Sequence, residues 1–280
     1  MTEASRISCA ARLAVLTLSL LVLLSCGGQT VSSGHSPAAS TTSTITWSQT
    51  AAPKGVDVPG AEWLKIEGAG GTTANIQVAA VFRPKGPGPF PLVVLFHGAD
   101  GLTDGLVSIA AQLTAGSFIV LVGCWKYTSP GSFLYQGVSY QNIPCLQANA
   151  RDVDAAQALI EVGQQLPGVK KHVIGLFGVS AGGGLVLHYA ATASDVGAIV
   201  VDSPSGCAPS KLTAPVLILG GTDDGGFVSQ QACEQLMKDL GISVESHFYD
   251  GGKHGVIFGD FRSDAIGRTI DSFKRSLGEF

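Results

Sequence analysis

From about residue 90 the chain alternates two hydrophobic patterns. Short, continuous apolar runs of strand length recur: "FPLVVLFHG", "SFIVLVG", "HVIGLFG", "GAIVVD" and "APVLILG". Such runs mark strands buried on both faces. Between them lie stretches of helical spacing. Thr103 is placed to cap a helix that reaches Leu113. "ANARDVDAAQALIEVGQQL" sets Val153, Ala156, Leu159 and Ile160 on one face, and "AGGGLVLHYAAT" predicts the next helix. "SQQACEQLMKDLG" is a helix stopped by Gly241, "VESHFY" a strand, and the terminal helix lines up Ile266, Ile270, Phe273 and Leu277. Upstream, "EWLKIE" and "NIQVAAVFRP" predict a hairpin through "GAGGTT". The stretch from Gly123 to about Leu146 predicts a long loop. Strands alternating with helices imply an α/β fold: one domain over residues 59–280, a mostly parallel sheet, and helices on both faces. Ligands in such sheets bind beyond the carboxyl ends of the strands.

Composition fits that outline. With 280 residues, 45% of them hydrophobic, the chain can build one large core. Its net charge is −4 and no basic run stands out, so nucleic acid is not an expected partner.

The first 58 residues read differently. Arg6 and Arg12 flank the apolar run Leu13 to Leu24, "LAVLTLSLLVLL". As a helix it would span about 18 Å, against roughly 30 Å for a bilayer core. That predicts a signal peptide over residues 1–25. "LLSCG" resembles the lipobox of bacterial lipoproteins, although Leu24 is a less usual residue at its place in that box. The resemblance implies that Cys26 is acylated and anchors the protein to a membrane in the cell envelope. The alternative is an ordinary signal peptide and a secreted protein. Residues 26–58 begin with a stretch rich in Ser, Thr, Gly and Ala that cannot bury enough apolar surface to fold, and so predict a flexible tether. Beyond Cys9 and Cys26 the cysteines are Cys124, Cys145, Cys207 and Cys233. An even number outside the cytoplasm predicts disulfides. Of three pairings, Cys124–Cys145 and Cys207–Cys233 are favoured because each closes a local segment.

Candidate chemistry centres on Gly178-Val179-Ser180-Ala181-Gly182, a G-x-S-x-G between a predicted strand and a predicted helix. That context marks a nucleophile elbow, with Ser180 as nucleophile. A serine hydroxyl needs a base, and the base an orienting acid. The downstream histidines are His188, His247 and His254. His188 falls in a helix, where a packed residue is expected, and His247 within a strand. His254 lies in a glycine-flanked loop past a strand end and is the expected base. The acid candidates are Asp223 and Asp224 in "GTDDGG" and Asp202 at the end of "GAIVVD". The Ala181 N–H, at the start of a helix, is one expected oxyanion donor. No metal-spaced cluster and no phosphate-binding loop is apparent, so no metal or organic cofactor is expected.

Together "GVSAGG", "GGTDD" and "YDGGKHG" resemble the α/β-hydrolase superfamily from about residue 60 onward, and its dienelactone hydrolase-like branch in particular. The resemblance implies Asp224 as the acid, by spacing from Gly221, with Asp202 and Asp223 as alternatives. It implies Ala99, after His97-Gly98, as the second oxyanion donor, with His97 shaping that loop. Two departures stand out. The lactone-cleaving enzymes carry a cysteine where this chain has Ser180, and a glutamate where it has Gly98. The expectation is therefore a serine hydrolase acting on small-molecule carboxylic esters, without dienelactone as implied substrate. A serine peptidase of the same fold and a non-catalytic ligand-binding lipoprotein are the rival readings. About a dozen residues separate Asp202 from Pro215, too few for a lid domain, which predicts an open site. Trp125 and Tyr127 are expected to wall it, with Phe133, Tyr135 and Tyr140 in the same loop.

Overall fold

The computed structural model describes residues 45–68, 76–145 and 152–278. The signal peptide, Cys26 and most of the "GAGGTT" turn lie outside the described residues. Nine strands form one sheet: β1 (Thr46–Gln49), β2 (Glu62–Glu67), β3 (Ile76–Phe82), β4 (Phe90–Phe96), β5 (Ile119–Gly123), β8 (Val169–Val179), β9 (Val196–Asp202), β10 (Val216–Gly221) and β11 (Val244–Tyr249). Their order is β1-β2-β3-β5-β4-β8-β9-β10-β11. The strands from β5 to β11 in that order pair parallel, whereas β1, β2 and β3 add antiparallel at one edge. The expected early hairpin is β2–β3, with Glu67 opposite Ile76.

Each continuous apolar run serves two cores at once. In β4, Leu92, Val94 and Phe96 enter one cluster, and Val93 and Leu95 the other. The first is covered by α2 (Asp152–Gln165), α3 (Ala181–Ala190) and α4 (Phe227–Asp239), through Leu159, Leu187 and Met237. The second is covered by α1 (Asp104–Leu113) and α5 (Arg262–Leu277), through Ile109, Ile266 and Phe273. The Thr103 hydroxyl caps α1 by accepting the Leu106 N–H at 3.2 Å. Both favoured disulfides are formed, Cys124–Cys145 and Cys207–Cys233.

Four expectations need correction. The stretch read as a tether contains β1, because Ile45 and Trp47 find apolar partners in the core. The long loop after Cys124 is largely a hairpin, β6 (Gly131–Tyr135) and β7 (Val138–Asn142). Its turn is made by Gln136 and Gly137, both at positive φ, a hairpin geometry that usually advertises itself as Asn-Gly. Val153 is exposed, and the buried face of α2 is formed by Ala155, Ala156, Leu159 and Ile160. His188 is exposed on α3 rather than packed.

The chain goes from β4 to β5 on one side, and then crosses to β8 on the other side of β4. The carboxyl ends of β4 and β8 therefore flank a switch point, the place where α/β sheets bind ligands.

Candidate active site

Ser180 sits between β8 and α3 with φ 53° and ψ −114°, a conformation that a non-glycine residue adopts only when its surroundings impose it. Its N–H continues the sheet ladder to the Asp202 carbonyl at 2.9 Å, while its own carbonyl accepts from Gly184 and Ser205. The flanking glycines have steric causes. A Cβ on Gly178 would collide with the Gly182 carbonyl, and one on Gly182 with the Phe96 carbonyl. Strand, turn and helix can fold this tightly only without those side chains. Ala181 opens α3, where backbone N–H groups have no partner within the helix.

The loop after β4 meets the elbow through Gly98, where a Cβ would lie 3.3 Å from the Ser180 Cβ. Any side chain at this position would crowd the serine. Ala99 follows it, exposed. His97 is fully buried, and burial pushes its pKa down to about 4 against the opposing effect of the Gly98 carbonyl 2.8 Å from Nδ1. It is thus a neutral imidazole that donates from Nδ1. Its carbonyl accepts the Trp125 indole N–H at 3.0 Å, and the two rings pack at 5.3 Å. His97 shapes the loop and does not titrate near neutrality.

His254 lies past β11, and Asp224 past β10. The two loops touch because Gly221 has no side chain, since a Cβ there would strike the Gly252 carbonyl. Both Asp224 oxygens lie near His254 Nδ1, at 3.0 and 3.1 Å. Asp224 also accepts the Gly226 N–H at 2.9 Å and the Gln230 side-chain amide at 2.6 Å. Burial raises its pKa, but these hydrogen bonds and the nearby His254 outweigh it and hold the carboxyl below its ordinary value. Asp223 is exposed, with its N–H given to the Gly252 carbonyl. Gln230, buried on α4, was not foreseen. Nothing local in "SQQACEQ" distinguishes it, and only the packing of α4 against β10 aims it at Asp224.

Asp202 takes a different part. It is fully buried at the end of β9 and does not hydrogen-bond the imidazole. Its oxygens accept the backbone N–H groups of Val256 at 3.2 Å and Ile257 at 2.9 Å. The neighbouring Ser203 hydroxyl accepts the Gly255 N–H at 2.9 Å and donates to Asp202 at 3.1 Å. Three successive N–H groups after His254 are thus held by two residues at one strand end. Gly255 has φ +73°, a left-handed conformation suited to glycine.

Ser180, His254, Gly98 and Val179 line one cleft together with Leu106, Phe133, Tyr135 and Phe258. Among the described residues no hydrogen bond joins Ser180 Oγ to the imidazole; such bonds commonly tighten only when substrate is in place. The aromatic wall is formed by Phe133, Tyr135 and Phe258, with neighbouring rings 5.8 to 6.0 Å apart. Trp125 and Tyr127 do not line the cleft, contrary to expectation: Trp125 is buried behind His97, and Tyr127 points to solvent at 57% exposure. The site is also less open than expected. No lid follows β9, but Phe133 and Tyr135 of the β6–β7 hairpin line the cleft, whose volume is about 30 Å³. A wider polar groove along β11, lined by Glu245, His247, Arg268 and Arg275, holds none of the candidate residues. Among the described residues no group of three or more His, Cys, Asp or Glu is placed to hold a metal ion.

Solved structures share this architecture. An esterase from Pyrobaculum calidifontis aligns with TM-score 0.59 at 19% identity, covering 79% of this chain and 86% of its own. A putative dienelactone hydrolase from Klebsiella pneumoniae aligns at 0.58 with 15% identity, covering 83% and 99%. A dienelactone hydrolase-like promiscuous phosphotriesterase from metagenomic libraries aligns at 0.59 with 16% identity, covering 83% and 98%. At these identities the likeness concerns the fold. Among curated proteins no sequence match is found. The model of the dienelactone hydrolase family matches residues 78–264, a span that contains the elbow, the acid loop and the histidine loop. The chain belongs to the dienelactone hydrolase family and has a single α/β-hydrolase domain.

Proposed function

We propose that this protein is a serine hydrolase that cleaves small-molecule carboxylic esters through an acyl-enzyme, held on the outer side of a bacterial membrane by a lipid on Cys26. The observation that carries the catalytic reading is the pairing of Asp224 with His254 Nδ1 at 3.0 Å, in a cleft that also presents Ser180. The Nδ1–H donates to Asp224, which leaves Nε2 free to accept a proton. Ser180 Oγ attacks the ester carbonyl carbon as its proton passes to Nε2. The carbonyl oxygen becomes an oxyanion held by the N–H groups of Ala99 and Ala181. The intermediate collapses, and His254 returns the proton to the departing alcohol. Water then enters and attacks the acyl carbon as it loses a proton to His254; the bond to Ser180 breaks, His254 returns the proton to Ser180 Oγ, and the acid leaves. Asp224 keeps the imidazole in the required tautomer and stabilises its charged form.

The envelope reading rests on the apolar run before Cys26, its lipobox-like context and two disulfides of the kind that persist in oxidising compartments. Two or more acyl chains anchor stably, whereas one holds only weakly.

A fluorophosphonate probe tests the chemistry. The wild type becomes labelled and Ser180→Ala does not, while p-nitrophenyl ester turnover disappears in the variant. Labelling or turnover that survives in Ser180→Ala rules out the mechanism. For the anchor, cell fractionation of Cys26→Ala should move the protein out of the membrane fraction. A native protein found in the medium without lipid by mass spectrometry would make it a secreted hydrolase.

A further inference from the structure

We infer that the β6–β7 hairpin is a fixed roof over the acyl side of the cleft, and that it limits substrates to esters of short acyl chains. This rests on the ester hydrolase reading above.

The hairpin has two unlike faces. Along β6, Ser132 and Leu134 are exposed, whereas Phe133 and Tyr135 turn inward and line the cleft. Across the register Phe133 stands opposite Tyr140, which is buried. The inward face is therefore aromatic, and the outward face is free of core contacts.

Both ends of the roof are tied down. At the base, the Cys124–Cys145 disulfide closes the segment, and the Ile143 N–H donates to the Leu102 carbonyl at 2.8 Å. The Gln141 N–H donates to Asp104 Oδ1 at 3.0 Å, and the Tyr140 ring lies where a side chain on Gly105 would otherwise be. These contacts hold the hairpin to the oxyanion-side loop and α1. Toward the other side, the Tyr140 hydroxyl donates to the Phe258 carbonyl at 3.2 Å, and the Gln136 amide lies 2.9 Å from where a Gly259 Cβ would be. Tyr135 packs on Phe258 at 5.8 Å and lies against Gly255. The hairpin thus spans from the loop after β4 to the loop after His254, with Ser180 in the cleft beneath.

The space below it is small. The cleft has a volume of about 30 Å³. The acyl group rather than the alcohol is the part confined. His254 must pass its proton to the departing alcohol, and its side chain is 49% exposed, so the alcohol lies on the solvent side. The enclosed side, between Thr103, Leu106 and Phe133, is left for the acyl chain.

The experiment is a chain-length profile. The wild type, Phe133→Ala, Tyr135→Ala and the outward-facing control Leu134→Ala are assayed on p-nitrophenyl acetate, butyrate and octanoate. In the wild type kcat/KM should fall at least tenfold from butyrate to octanoate. Phe133→Ala should raise the octanoate-to-acetate ratio by at least on the order of tenfold, the lower end of what one methylene provides in an apolar pocket. Leu134→Ala should leave the ratio unchanged. A flat profile with Ser180-dependent turnover, or a ratio unmoved in both Phe133→Ala and Tyr135→Ala, overturns the roof. Absence of turnover on every ester, with no labelling of Ser180, overturns the hydrolase reading and the roof with it.

Discussion

Asp202 Oδ2 accepts the Ile257 N–H at 2.9 Å, so the end of one strand clamps the loop that carries the histidine of another. The carboxyl is fully buried, and burial pushes its pKa up to about 6 from an ordinary 3.8, although hydrogen bonds from Ile257, Ser203 and Val256 pull the other way. A raised folded-state pKa means that the native protein holds this proton more tightly than the unfolded chain. The stability so contributed is fully present below pH 3.8 and is lost as pH rises through about 6. The slope amounts to about 3 kcal/mol across that window. Asp202→Asn cannot titrate. Urea denaturation from pH 4 to 7 should therefore show a falling stability component in the wild type that the variant lacks. An identical slope in both places the titration elsewhere.

The two buried aspartates make opposite demands on activity. Asp224 touches the imidazole, whereas Asp202 touches only the backbone beyond it. Asp224→Asn should lower kcat by roughly 10³–10⁴-fold through the wrong tautomer. Asp202→Asn loosens the loop and should cost less. The comparison of kcat on p-nitrophenyl butyrate decides it, and a greater loss in Asp202→Asn would transfer the acid role to that residue.

Gln230 holds one oxygen of Asp224 at 2.6 Å from inside the protein. Gln230→Leu removes that donor without emptying the space. We expect kcat to fall roughly 10- to 150-fold with KM little changed, as for loss of a charge-assisted hydrogen bond of about 1.5–3 kcal/mol. A changed KM with constant kcat would place Gln230 in binding instead.

The two disulfides close segments of similar length, with sequence separations of 21 and 26. The chain-entropy estimate gives each about 3 kcal/mol. Replacing either pair by serine should thus lower stability to urea by similar amounts. Only Cys124 and Cys145 stand at the base of the hairpin. Their loss should also flatten the acyl-chain profile, whereas loss of Cys207 and Cys233 should not. Equal profiles would mean that the hairpin is held by its other contacts alone.

The strands and helices around the site were legible because their patterns are local. "FPLVVLFHG" reads as a doubly buried strand wherever it is placed, and Thr103 caps its helix within one turn. The elbow was legible for the same reason, since Gly178, Ser180 and Gly182 must meet within five residues. Pairing of Cys124 with Cys145 and of Cys207 with Cys233 followed from short separations. Tertiary structure decided the remainder. Asp202, Asp223 and Asp224 all end strands or open turns, and no local property separates the one whose loop reaches His254. Gln230 matters only because α4 packs on β10. Trp125 and Phe133 are both aromatic residues of one segment, yet the strand period turns Phe133 into the cleft and the packing of His97 draws Trp125 behind it. Ile45 and Trp47 lie in a polar stretch that composition assigns to a tether, yet both pack on the core, and an open sheet edge recruits Thr46–Gln49 as β1. Sequence fixes what each residue is able to do over a few positions. Which residues meet across more than a hundred positions depends on the order of strands in the sheet, and that order is a property of the packed core as a whole.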